Sequence, residues 1–184
     1  FSGRPSVLVI RPADSAETVE AYRLAMDNRD TPTVLIFSRQ NLEDLPGENR
    51  REEARKAAHG GYVVVPAENP DVVLVANGSD VALLVHAAEA LKAEGVRARV
   101  VSVPSAGLFG EQTPEYRESV LPAGVPQFGL TSGLPAALWP VMSGRYEVMG
   151  LERFGASAPA KVLEEKFGYT PEAVTARIRK FLIK

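Results

Sequence analysis

Cysteine is missing from this 184-residue chain. Its absence excludes a disulfide framework, a thiolate metal site and a cysteine nucleophile. Histidine is nearly missing too: only His59 and His86 occur, too few for an imidazole-rich metal site. No apolar run is long enough to span a bilayer, since the longest are strand-sized blocks. Charge of one sign is not in excess either. The 21 Lys and Arg residues are interspersed with 23 Asp and Glu, which excludes the basic footprint of a nucleic-acid binder. Residues 1–10 carry neither a basic leader nor a cleavage-type ending, so a secretory signal is not expected; with no cysteine, this fits a cytoplasmic protein. What is present is an ordinary globular balance, 45% hydrophobic and 24% charged. The length suits one well-packed domain, or one domain and a piece of another.

Alternating apolar blocks and amphipathic stretches predict an α/β fold. Ser6–Ile10 reads as a strand ended by Arg11-Pro12. Asp14, three residues before Glu17, has the spacing of an N-terminal capping pair, and Val19, Tyr22, Leu24, Ala25 and Met26 continue a helix to about Asn28. Thr33–Phe37 is a second strand, so the opening residues form a βαβ unit with parallel strands. The polar stretch Glu43 to His59, with Pro46 and Gly47, reads as an interdomain linker with room for one helical turn. After Gly60-Gly61 a second pattern begins. Strands are expected at Tyr62–Val65, Val72–Ala76, Ala98–Val103, Gln127–Leu130 and Glu147–Leu151. Helices are expected at Val81–Glu94, Pro114–Leu121, Pro135–Met142, Ala160–Phe167 and Pro171–Leu182. The alternation predicts a three-layer sandwich around a mostly parallel sheet, preceded by a partial βαβ unit. The expected divisions are 1–45, a linker at 46–60, and a domain at 61–184.

One segment carries the strongest chemical signal. The apolar run Thr33-Val34-Leu35-Ile36-Phe37 ends abruptly in Ser38-Arg39-Gln40-Asn41-Leu42. This reads as a buried strand whose tip presents a cation, at the place where open α/β sheets meet their ligands. A planar, permanently charged guanidinium suits a phosphate as a two-pronged clamp. The competing account is an ion pair between Arg39 and Glu43 or Asp44. Asp14 reads as a helix cap, with Arg11 as its candidate partner. At Asn77-Gly78-Ser79, between a strand and a helix start, the amides of Gly78 and Ser79 could receive an anion. The turn matches neither nucleotide signature, and a tight turn capped by Ser79 or Asn77 is the alternative. Ser157 lacks the nucleophile elbow, because Pro159 takes the place of the second glycine, and it reads as a structural or capping residue. His86 lies opposite Leu84 on its helix and reads as a surface or interface residue; His59 shows no partner. Trp139, Phe167 and Tyr169 read as core or helix-packing residues.

Ser38-Arg39-Gln40 resembles the corresponding element of transketolases. So do Arg11-Pro12-Ala13-Asp14 and the stretch from Arg153 to Pro159. Gly60-Gly61-Tyr62-Val63-Val64, Val101 to Ser105, Leu108-Phe109, Gln112 and Tyr116 to Pro122 are similar to transketolase elements in the same order. Val103, where methionine is frequent, and the uncharged Gln127 to Thr131 depart from the common pattern.

The resemblance implies the C-terminal portion of a thiamine-diphosphate enzyme of the pentose phosphate pathway, which moves a two-carbon ketol unit between sugar phosphates. Residues 1–45 would close the pyrimidine-binding domain and 61–184 would be the C-terminal domain. Arg39 would contact the substrate's phosphate. No catalytic, cofactor-binding or metal residue is implied within this chain: the Gly-Asp-Gly…Asn magnesium motif has no counterpart. The activating glutamate, the aromatic cradle and the catalytic histidines would lie upstream of Phe1. Thiamine diphosphate and magnesium are thus expected in the parent enzyme and not on this chain, which is expected to be inert alone. Its implied partners are the remaining transketolase domains and a second copy in a homodimer. Two alternatives stand beside this. One is another thiamine enzyme, such as 1-deoxyxylulose-5-phosphate synthase or a 2-oxo acid dehydrogenase β subunit. The other is a non-catalytic module for dimerisation or ligand sensing.

Overall fold

The computed structural model describes residues 6–183; the first five residues of the expected 1–45 segment, and Lys184, lie outside the described residues. Strand β1 (Leu8–Ile10) pairs in parallel with β2 (Thr33–Leu35), and α1 (Ser15–Asp27) connects them. The capping pair forms as its spacing predicts. Asp14 Oδ1 accepts the Glu17 amide at 2.8 Å, and Glu17 Oε2 accepts the amide of Ala13 at 2.8 Å. The expectation of a buried second strand needs correction. Val34 is 44% exposed and Ile36 43%, because this sheet has only two strands among the described residues and the face they share is uncovered; Phe37, 46% exposed, stacks on Tyr22 of α1.

The polar stretch that follows is helical over residues 50–59. Helix α2 (Arg50–Ala54) runs into a 3₁₀ turn (Arg55–His59), which Gly60 ends at φ +80°. Leu45, Ala54 and Ala57 are buried, so the stretch packs against its surroundings. A Cβ on Gly60 would lie 2.1 Å from the Phe109 amide nitrogen, so both the left-handed turn and the close approach require glycine there.

The remaining elements are β3 (Tyr62–Val65), β4 (Val72–Ala76), α3 (Asp80–Ala93), β5 (Ala98–Ser102), α4 (Ala106–Gly110), α5 (Pro114–Val120), β6 (Gln127–Leu130), β7 (Tyr146–Met149), α6 (Ala160–Phe167) and α7 (Pro171–Ile183). Their sheet has the order β3-β5-β4-β6-β7, parallel except where β3 meets β5. Central β4 has no accessible surface on either face. Val72, Leu74 and Ala76 belong to the core layer containing α3 and α7, while Val73 and Val75 pack with Phe109, Val120 and Leu138. A strand covered on both faces cannot alternate polar and apolar residues, and hence reads as an unbroken apolar run. The α/β three-layer arrangement and mostly parallel sheet are as expected.

Two local expectations fail. Residues 135–142 form two 3₁₀ turns (Pro135–Ala137 and Trp139–Val141) in place of a helix, since Pro140 lacks the amide that an α-helix interior needs. Trp139 is 54% exposed, so it is not a core residue.

Candidate functional site

The first unit docks across the carboxyl ends of the parallel strands. From β4 the chain crosses to β5 on one side, and from β5 it returns to β6 on the other. Adjacent β4 and β6 therefore flank a reversal of strand order, the usual position of a ligand crevice. Here the crevice holds Arg11, from the end of β1. Its Nη1 donates to Thr131 Oγ1 at 3.2 Å, its carbonyl accepts the Gly78 amide at 3.1 Å, and its amide donates to Pro104 O at 2.8 Å. Arg11 is thus placed on Thr131 rather than on Asp14, whose ion-pair partner is Arg50.

Gly78 sits in this crevice at φ +60°. Ser79 precedes α3 with no side-chain capping bond, and Asn77 Oδ1 instead accepts the Thr131 hydroxyl at 3.3 Å. Neither Ser79 nor Asn77 caps the helix, contrary to expectation. A buried carboxylate follows directly: Asp80 accepts both the Ser132 amide and the Ser132 hydroxyl at 2.6 Å. Burial raises the pKa of that carboxyl group, and the two bonds from Ser132 act against the rise.

Arg39 lies in the exposed loop that follows β2. Both carboxylates named as its competing partners are engaged elsewhere. Glu43 Oε1 is 2.6 Å from His86 Nε2, and Asp44 Oδ1 accepts the Ser15 hydroxyl at 2.5 Å. Within the loop, Ser38 Oγ accepts the Gln40 amide at 3.2 Å. A cavity of about 640 Å³ separates this loop from the larger sheet's helices; Ser38, Gln40, Ser79, Asp80, Leu163 and Tyr169 are among its lining residues. The structure thus brings Ser79 and the flanks of Arg39 to the lining of one groove.

A second cluster joins the first unit to the sheet, and it is buried. Arg50 Nε donates to Asp14 Oδ2 at 2.5 Å, and Arg50 Nη2 donates to Tyr62 Oη at 2.6 Å. Tyr62 in turn donates to Glu17 Oε1 at 2.6 Å. Burial pushes the Glu17 carboxyl pKa up, against the opposing effect of the Tyr62 bond. Burial, with the adjacent Glu17 charge, pushes the Tyr62 hydroxyl far above its usual range. Sequence reasoning missed Arg50 and Tyr62. The first lies among other charges in a polar stretch, the second at the head of an apolar strand, and no spacing links either to Asp14.

Other sequence expectations resolve more simply. His59 has a partner, Gln112 Oε1 at 3.2 Å, and its ring lies 4.9 Å from that of Tyr116. Ser157 caps nothing: Pro159 occupies the position before α6, which has no side-chain capping bond. The small-residue loop is open within this chain, with Phe154 96% exposed and nothing within 4 Å of a Cβ on Gly155. Among the described residues, no group of three or more His, Cys, Asp or Glu is placed to hold a metal, and no helix is long and apolar enough to cross a membrane.

Residues 60–170 match the family model of the transketolase-like TK C-terminal domain. The chain belongs to this family. A transketolase from Halalkalibacterium halodurans is 42% identical over 180 residues, covering 97% of this chain and 27% of its own length. A Pichia stipitis transketolase, solved in complex with sedoheptulose-7-phosphate, superposes with a TM-score of 0.86 at 39% identity, over 97% of this chain and 25% of that one. A split-gene transketolase, described as an inactive β4 tetramer, superposes with a TM-score of 0.74 at 26% identity, over 97% of this chain and 59% of that one. The chain thus spans about a quarter of the length of the full transketolases it matches. These relatives favour transketolase over the 1-deoxyxylulose-5-phosphate synthase alternative.

Proposed function

We propose that this chain supplies the C-terminal part of a transketolase, an enzyme that transfers a two-carbon ketol unit between sugar phosphates, and that Arg39 grips the substrate's phosphate. The observation that carries this reading is Arg39 itself. It stands exposed beyond the carboxyl end of a parallel strand, and its two neighbouring carboxylates are bonded to His86 and Ser15. A guanidinium so placed meets an anion without first breaking an internal pair. Support comes also from the Pichia stipitis relative, whose solved complex contains a phosphorylated seven-carbon sugar.

In this reading thiamine diphosphate and magnesium belong to the parent enzyme and are held by its other domains. No chemical step is therefore routed through residues of this chain, and its part in catalysis is to bind and orient. The uncovered faces of β2 and α1 suit the remaining domains of the enzyme and its homodimer partner, with the assembly in the cytoplasm. The inactive split-gene relative supports the reading that this chain alone is inert. Gly78 and Ser79 carry no anion-binding role in this account, since the Gly78 amide is bonded to Arg11 and the Asp80 carboxylate lies next to them.

The test is Arg39→Ala in a full-length transketolase carrying this sequence. Hydrogen bonds to a charged group contribute about 1.5–3 kcal/mol, so KM for a phosphorylated donor should rise about tenfold to a hundredfold. An unchanged KM refutes the assignment.

A further inference from the structure

We infer that Asp14 is a positioning residue for Arg39, fixing the far end of the loop that carries it; this deepens the reading of Arg39 as the phosphate clamp and rests on it. The loop between β2 and α2 has no regular structure, yet both its ends are tied to one short stretch of chain. At the near end the Ile36 amide donates to Ile10 O at 2.9 Å. At the far end the Leu45 amide donates to Asp14 Oδ2 at 3.1 Å, with the Leu45 side chain buried. That oxygen also receives Arg50 Nε, while the other caps α1 through Glu17. Beside it, the Ser15 hydroxyl donates to Asp44 at 2.5 Å.

The Asp14 side chain has no accessible surface, so these bonds do not compete with water. One carboxylate therefore sets the start of α1, the exit of the Arg39 loop and the entry to α2. An exposed arginine on an untethered loop must be ordered each time it takes a ligand, and that ordering weakens binding. Holding the loop ends in place removes much of that cost. Asp14 touches no substrate in this account; it acts through Arg39.

Asp14→Asn tests the inference sharply, because it replaces an acceptor by an amide donor. If the carbonyl keeps the α1 cap, the new amide faces two other donors, Leu45 N and Arg50 Nε. In a full-length transketolase carrying this sequence, Asp14→Asn should raise KM for a phosphorylated donor about tenfold. It should also lower the preference for that donor over its unphosphorylated sugar, with kcat at saturation little changed. Combined with Arg39→Ala it should add nothing further to KM, since the group being positioned is gone.

A kcat loss equal for both donors, or full additivity with Arg39→Ala, overturns the inference and leaves the Arg39 assignment standing. An Arg39→Ala variant with unchanged KM overturns the assignment, and the inference with it. Should Asp14→Asn fail to accumulate as folded protein, Ser15→Ala at the exposed edge of the same anchor carries the test. A KM rise of about twofold to threefold that disappears in the Arg39→Ala background is expected, and a change that persists there refutes the idea.

Discussion

Tyr62→Phe probes the buried cluster with the smallest chemical change. The ring stays in place at the head of β3, and only the hydroxyl is lost. That hydroxyl makes two bonds of 2.6 Å, one to Glu17 and one from Arg50, inside a residue that is 1% exposed. Each bond to a charged group is worth about 1.5–3 kcal/mol, and the low end applies because both partners retain other contacts. Glu17 keeps the Ala13 amide, and Arg50 keeps Asp14. The expected loss is about 3 kcal/mol, a little over a hundredfold in the folding constant. Urea unfolding of the chain, followed by far-UV circular dichroism at pH 7, measures it. A change below about 0.5 kcal/mol, the level of an ordinary surface substitution, would refute the claim that this cluster bonds the first unit to the sheet. The same cluster predicts a pH dependence. Burial raises the folded pKa of Glu17, so the folded chain holds that proton more tightly than the unfolded chain. Its contribution is complete below the ordinary glutamate pKa of about 4.3 and is lost as pH rises through the folded value. Glu17→Gln should flatten that part of the stability profile.

Gly60→Ala should destabilise the chain by at least about 2 kcal/mol, because it adds left-handed strain to a contact no real Cβ tolerates; an unchanged urea midpoint would contradict the geometry. Asp71, bonded to Arg97 through side chain and backbone, has its pKa lowered to about 2. Its stabilising effect is therefore present above the ordinary aspartate pKa of about 3.9 and is lost as pH falls through the folded value. Arg97→Ala should return Asp71 to the ordinary range in an NMR carboxyl titration, and a value still near 2 would show that another group sets it.

Sequence alone determined the layers and most of the element order. β4 is legible because a strand buried on both faces needs five apolar residues in succession, and α7 because Thr170 and Pro171 open it. The Asp14 cap is legible for the same reason, its partner being three residues away. Local chemistry also marked Arg39, where an apolar strand ends in a cation. Tertiary structure decided what depends on distant partners. It alone placed Arg11 on Thr131, 120 residues away, and Arg50 on Asp14, 36 residues away. It also left Trp139 and Phe154 in solvent, since apolar character does not say which residues find a neighbour to bury them. Periodicity reports a residue's relation to its own helix or strand, whereas these contacts are set by how separate elements come to rest against one another.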